Sequence, residues 1–324
     1  MSNRGARTPV PSIVGPHTDT APIVDLGATS RLSYDSTVPR RLVHRAAVAG
    51  ALLTDWRQVT EDIFVCAVQW PPGQSLYGAR DGRFDSMLIA ETIRQAGILV
   101  AHVGYGVPES HRFVMRWLRW RCAVDRLDFA GGPFESVATV AVSEVQRRSA
   151  TVGGFRIDVD LWREGQWFAQ GSGSVRCLSP AVYRRVRWAD CPRPPDPPPV
   201  VPPAPPELVG RELARDVVIG PYEDLGACAL RVVLDHPVLF DHPVDHIPGM
   251  LLFEAMRQAA IAATGGRLSS VATAQAQFTS FLELDHPCRV LVEPPAPARP
   301  PHRTEVRFVQ SGREAARGVV ELVS

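Results

Sequence analysis

The chain has 324 residues, 45% of them hydrophobic, and 35 Lys and Arg against 34 Asp and Glu, for a formal net charge of +1. That length and apolar content suit about two domains with a sizeable core each, and the balanced charge excludes a global field that would draw the protein to nucleic acid or to an anionic membrane. Residues 1–20 lack a signal-peptide core and no apolar run nears the roughly 20 residues that span a bilayer, so a cytoplasmic protein is expected.

In chain order, residues 1–40 have little periodicity and many Pro, Ser, Thr and Gly, and are expected to form a loosely ordered arm. Residues 62–70 are rich in β-branched and aromatic side chains and are expected as a strand, stopped by Pro71-Pro72-Gly73. A helix follows over 86–103 and ends at Gly104 to Pro108. The period then changes: 111–120, 135–146, 154–163 and 166–178 are strand-like, with Arg163-Glu164-Gly165-Gln166 as a hairpin turn. Ten of the fifteen residues from Pro192 to Pro206 are proline, which predicts an extended linker and a domain boundary near 190.

The second half repeats this order. Val209-Gly210-Arg211 echoes Val43-His44-Arg45, 227–234 is the counterpart of the first strand, 249–263 is a helix, and strands are expected at 274–284, 290–293, 304–309 and 315–323, with a proline loop at 294–301. The units are therefore 41–190 and 208–324, joined by a linker at 191–207. Two copies of strand, buried helix and antiparallel sheet make a duplicated α+β protein in which each sheet covers one helix.

Chemistry concentrates in the stretch 235–260. Pro237, Pro243 and Pro248 stiffen the approach and delay the helix to about Pro248 or Gly249. From Met250 the helix is apolar except for Glu254, Arg257 and Gln258, which share one face. The first helix repeats the stripe as Glu91, Arg94 and Gln95; 254 − 91 and 257 − 94 are both 163. Burying a carboxylate and a guanidinium is costly unless they pair or meet a ligand, so the stripe is either an anchoring ion pair or a site.

In the second reading Glu254 near the helix N-terminus acts as a general base, Arg257 and Arg94 hold a phosphate or carboxylate, and Gly249 lets a ligand approach the backbone. His236, His242 and His246 either position the loop or touch substrate; the prolines prevent the helical spacing of zinc-binding pairs, so no metal is expected. The six cysteines (Cys66, Cys122, Cys177, Cys191, Cys228, Cys288) show no C-x-x-C spacing and are expected as free thiols. Without a P-loop or a dinucleotide fingerprint (Gly104-Tyr105-Gly106 lacks the third glycine), no cofactor is expected.

The Pro248-Gly249-x-x-x-x-Glu254 helix entry resembles the hotdog fold of acyl-thioester dehydratases and thioesterases. Together with 235–260, Leu52-Leu53-Thr54-Asp55-Trp56, Gln69-Trp70-Pro71 and the segment from Ala90 to Gly97, it is similar to the A-factor biosynthesis hotdog family of γ-butyrolactone or butenolide autoregulator synthases, over roughly 43–323. The resemblance implies a double hotdog. It also implies transfer of a β-ketoacyl group from acyl carrier protein to the hydroxyl of dihydroxyacetone phosphate, then closure to a butenolide phosphate. It places catalytic weight on Glu254, Arg257 and Glu91, with Arg94, Gln95, Gln258, Gly249, His242 and His246 expected around the substrate. Phe84-Asp85-Ser86 departs from the His-Asp-Pro that relatives carry before the first helix, so the second helix is expected to be catalytic and the first to lend Glu91 across an intramolecular pair or to shape the acyl groove. A hydrolase or dehydratase, or a non-catalytic acyl or lactone sensor, are the alternatives, and further association of chains into a homo-oligomer is left open.

Overall fold

The computed structural model describes residues 32–148, 151–189, 195–224, 226–293 and 301–324. The first unit contains β1 (Leu53–Gln58), β2 (Ile63–Trp70), α1 (Met87–Val103), β3 (Arg112–Cys122), β4 (Phe134–Arg148), β5 (Thr151–Arg163), β6 (Gln166–Leu178) and α2 (Pro180–Trp188). The second contains β7 (Ile219–Asp224), β8 (Ala227–Leu230), α3 (Gly249–Ala263), β9 (Ser270–Phe278), β10 (Cys288–Glu293), β11 (His302–Gln310) and β12 (Arg313–Val323).

All twelve strands form one antiparallel sheet in the order β1-β2-β4-β5-β6-β3-β9-β12-β11-β10-β8-β7. Each edge leads inward through equivalent strands to a seam where β3 pairs with β9, Leu118 opposite Ala276 and Trp117 opposite Gln277. The seam satisfies the backbone groups that an edge strand would leave open, and makes the two units one sheet.

Each helix is swallowed by its half of that sheet. In α1 all but Arg94 and Val103 are buried, and in α3 Met250 through Ile261 are buried. Close approach depends on glycines in the strands beneath. A Cβ at Gly171 would lie 2.3 Å from Ile93 Cδ1, and one at Gly318 would lie 2.3 Å from Met256 Cε, so both positions must stay bare for the helices to seat. The expected α1 start needs no cap from Ser86: the Asp85 carboxylate accepts from the Met87 N–H at 2.9 Å.

Several expectations change. The arm lies outside the described residues up to 31, but its last part is packed: Val38 donates to Leu53 O at 3.0 Å and is buried, and Tyr34 Oη donates to Ser136 O at 3.1 Å. The C-terminal part of the linker is likewise built into the second unit, where Ala204 donates to Ile219 O at 3.0 Å and Val201 O accepts from Arg231. Prolines remove donors but leave carbonyls, so a proline-rich segment can still flank a strand edge. The edge strands β1 and β7 and the helix α2 were not expected; Ser179, which caps α2 through Val182 N–H at 3.4 Å, with Pro180 at its first position, is the signal for the helix.

The strand expected over 274–284 runs instead from Ser270 to Phe278, because Leu282 O leaves the sheet to accept from Ile247 N–H at 2.9 Å. The proline loop at 294–301 lies outside the described residues except for its last position. Among the described residues no helix is long and apolar enough to cross a membrane.

Candidate active site

The two polar stripes are the centres of two matching ion networks. Glu254 is fully buried; its Oε1 accepts from Arg211 Nε, Arg257 Nη2 and Gln258 Nε2 at 2.9, 2.9 and 2.6 Å, and its Oε2 from Arg211 Nη2 and Arg257 Nε at 2.8 and 3.1 Å. Glu91 is held in the same way by Arg45, Arg94 and Gln95: Arg45 Nε at 3.0 Å, Arg94 Nη2 at 2.8 Å and Gln95 Nε2 at 2.5 Å on Oε1, with Arg94 Nε at 2.9 Å on Oε2. Each arginine then crosses to the other unit. Arg45 Nη1 reaches Val238 O and Asp241 Oδ1 at 3.3 and 3.2 Å, and Arg211 Nη1 reaches Leu76 O and Asp85 Oδ2 at 2.7 and 3.8 Å. Two guanidiniums and two carboxylates thus balance at each centre, which is what lets so much charge be buried.

This geometry reassigns several expected site residues. Burial alone would raise the Glu254 carboxyl, but Arg211 and Arg257 hold it down to about 2, and Glu91 is likewise brought to about 2 against burial by Arg45 and Arg94. A carboxylate so stabilised is a weak base. Gln95 and Gln258 brace the backbone: Gln95 bonds Leu52 N–H and Gly50 O, both at 2.8 Å, and Gln258 bonds Val218 N–H at 2.9 Å and Asp216 O at 2.8 Å. Arg257 is 5% exposed and committed to Glu254. Gly249 faces the Phe278 ring, which a Cβ would meet at 3.3 Å, so its small size serves packing. Arg45, Arg211, Asp85 and Asp241 complete the networks and were missed. Their signal was Arg45 and Arg211 in the echoed triplets, since 211 − 45 equals the 166 that also separates Leu52 from Val218.

The histidine loop does not serve the helix it leads into. It packs on the segment ahead of β1 in the first unit: Asp241 Oδ2 accepts from Ala46 N–H at 3.0 Å, its Oδ1 accepts from Arg45, and the same Oδ1 lies 2.5 Å from His242 Nδ1. The sequence expectation joined His242 to Glu254; the crossing of the units joins it, through Asp241 and Arg45, to Glu91. On the α3 side the corresponding loop, displaced by 163, carries Gly78 and Ala79 where Asp241 and His242 stand, so that centre has no imidazole from this position. His246 Nδ1 is 2.7 Å from Asp245 Oδ1, and Tyr183 of α2 donates to the same carboxylate at 2.8 Å. His236 is buried and loop-holding: its Nδ1 accepts from Val238 and Leu239 N–H at 3.2 Å, so its Nε2–H faces Asp216 at 3.3 Å.

The orientation of His242 is chemically useful. An Nδ1–H donated to Asp241 leaves Nε2 as an acceptor, and burial, which by itself would raise the Asp241 carboxyl, is overcome by its His242, Arg45 and Ala46 bonds, so that it is lowered and stays ionised. His242 is 39% exposed and Arg94 is 20% exposed, so both can meet a substrate, whereas Glu91 and Asp241 behind them are nearly closed off. Among the described residues no cluster of His, Cys, Asp and Glu could hold a metal ion.

Both glutamates titrate below their ordinary value of 4.5, so their contribution to stability is complete above that value and is lost as pH falls toward 2. Acid titration of the folded protein by circular dichroism should therefore show stability falling between about 4.5 and 2; a protein whose stability is unchanged across that window would not have these networks.

The two hotdog-like halves agree with comparison to known proteins. A family profile described as the A-factor biosynthesis hotdog domain matches residues 28–179 and 193–323. The chain is 40% identical over 259 residues to a 2-oxo-3-(phosphooxy)propyl 3-oxoalkanoate synthase of Streptomyces virginiae, covering 80% of this chain and 88% of that protein. It is 37% identical over 252 residues to a protein of the same name from Streptomyces coelicolor, covering 78% and 80%. Among solved structures it is similar to an acyl-ACP thioesterase from Bacteroides thetaiotaomicron, with a TM-score of 0.49 at 9% identity over 80% of this chain and 98% of that one. Both units are matched, and the chain belongs to the A-factor biosynthesis hotdog family.

Proposed function

We propose that the protein is an acyltransferase that moves a 3-oxoalkanoyl group from a thioester to the hydroxyl of dihydroxyacetone phosphate, making a 2-oxo-3-(phosphooxy)propyl 3-oxoalkanoate. The product is the one in the names of its relatives. The observation that carries the chemistry is the Asp241–His242 pair set against the Arg45–Glu91–Arg94 network at the meeting of the two units. His242 Nε2 takes the proton from the acceptor hydroxyl as its oxygen attacks the thioester carbonyl. Arg94, held by Glu91, faces the oxyanion of the tetrahedral intermediate. The C–S bond then breaks and the imidazolium returns its proton to the departing sulfur, so the products are the ester and a free thiol. The methylene between the two carbonyls of the ester can close on the ketone with loss of water to a butenolide phosphate. We assign acyl carrier protein as the donor's carrier and the cytoplasm as the place of reaction.

Mass spectrometry of the purified protein with a 3-oxoacyl thioester, with and without dihydroxyacetone phosphate, tests this reading. A phosphorylated ester or butenolide is expected only with both substrates. Release of the free 3-oxo acid at equal rate with or without the acceptor would make the protein a hydrolase, and binding without turnover would make it a sensor.

A further inference from the structure

Beside His242 lies a group of cationic and imidazole side chains that the transfer chemistry does not use. Val43 O accepts from Arg94 Nη2 at 3.3 Å and Ala46 N–H is bonded to Asp241, so His44 is held between α1 and the histidine loop. His44 adopts a left-handed backbone conformation, φ 50°, which is uncommon outside glycine and marks an imposed position. Its Nε2 lies 3.1 Å from His102 Nε2, and His102 Nδ1 lies 2.6 Å from Val107 O. A carbonyl can only accept, so His102 carries its proton on Nδ1 and His44 donates from Nε2. His44 Nδ1 is then the atom that is free to gain a proton.

The charged and imidazole groups that act most on His44 are His102 and Arg94 from α1, Arg112 from β3 and His242 from the loop. Burial first, and these neighbours after it, push the His44 imidazole down to about 4, so it is neutral near pH 7 when the centre is empty. Phe113 packs edge-on against both imidazoles, at 5.2 Å from His44 and 5.3 Å from His102, which places the start of β3 alongside. Glu91 and Asp241, the nearby carboxylates, are already balanced by Arg45 and Arg94. Arg112 is exposed, has no ion pair among the described residues, and acts electrostatically on both His44 and Tyr183. His111 Nδ1, next to it in sequence, is buried without a hydrogen-bond partner.

An unbalanced guanidinium, Arg112, acting on a neutral, proton-accepting imidazole fits a phosphate monoester. Resting on the acyltransferase reading, we propose that this cluster holds the phosphate of the acyl acceptor, Arg112 supplying charge and His44 a hydrogen bond, and that one proton is taken up when the dianionic ester binds. The balance is simple: the free ester has a second pKa near 6 and is mainly dianionic at pH 7.5, free His44 is neutral, and the bound pair shares one added proton between Nδ1 and a phosphate oxygen.

Calorimetric titration of the full chain with dihydroxyacetone phosphate and, separately, with dihydroxyacetone tests the assignment at pH 7.5 in two buffers of different ionisation enthalpy. The phosphate ester should bind, with about one proton taken up, and dihydroxyacetone should not. Arg112→Gln, at an exposed position, should weaken binding on the order of tenfold or more. His44→Asn, which tolerates the left-handed backbone, should abolish the uptake. The subsite is overturned if the ester does not bind, if dihydroxyacetone binds as well, or if both variants keep wild-type affinity and proton uptake. Binding with uptake but no ester formation would keep the subsite and sink the transfer reaction; ester formation with an unchanged KM for the acceptor in Arg112→Gln would do the reverse.

Discussion

Glu254→Gln is expected to cost on the order of 3–5 kcal/mol of folding stability, the range for removing one partner from a buried ion network. The substitution keeps the shape but strands Arg211 and Arg257, at 1% and 6% side-chain exposure, with only Asp85, at 3.8 Å from Arg211, as a paired counter-charge among the described residues. Neither guanidinium can reach water to recover its hydration, and an uncompensated buried charge is among the few ways a single change has so large an effect. Denaturant unfolding of Glu254→Gln, Arg211→Gln and the double variant checks it. Removing Arg211 together with Glu254 takes away one stranded charge, so the double variant should lose less than the sum of the two single losses. A Glu254→Gln protein of wild-type stability that has lost turnover would falsify the scaffold role and restore Glu254 as a reacting group.

His242→Gln should leave stability close to wild type and lower kcat by about 10²–10⁴-fold, the usual worth of a positioned general base. The side chain is 39% exposed and its polar partner among the described residues is Asp241, which keeps Ala46 N–H and Arg45 when the imidazole goes. Asp241→Asn should reduce turnover and also loosen the contact between the histidine loop and the first unit, because Arg45 loses a counter-charge there. The measurement is steady-state kinetics beside thermal unfolding. If His242→Gln turns over like the wild type, the base lies elsewhere and His246, paired with Asp245, is the next imidazole of the same loop.

Much of the fold was legible because it follows from local rules. The two apolar helices with their Glu-x-x-Arg-Gln stripes, the proline-stiffened entry at Pro248 and the run of alternating strands need no long-range information, and α3 begins at Gly249 as its prolines dictate. The edge strands β1 and β7 were harder, since their outer halves are polar and exposed. The site was legible in composition but not in pairing. Glu91, Arg94, Glu254 and Arg257 could be named as buried charges, yet the partners that neutralise them, Arg45 and Arg211, sit more than 40 positions upstream of the carboxylates they meet. Nor could helical spacing reveal that Asp241, with His242 beside it, crosses to Arg45 of the first unit, because adjacency in sequence to Glu254 suggested the opposite. A buried stripe announces that charge must be compensated; only the tertiary fold says by which residue, and that choice separates a scaffold from a reacting group.

The β3–β9 seam and the chain that joins the units also bear on how the enzyme behaves in dilute solution. A centre assembled from Arg45 and Glu91 of one unit and Asp241 and His242 of the other would, in separate chains, empty out as concentration fell toward the dissociation constant of the pair. Here residues 195–209 lie along the second unit and tie it covalently to the first, so each half meets the other at an effective concentration that short linkers bring to about the millimolar range. Specific activity should therefore be the same at nanomolar as at micromolar enzyme, and the covalent tie leaves one unit's loop free to drop its imidazole while the other keeps it.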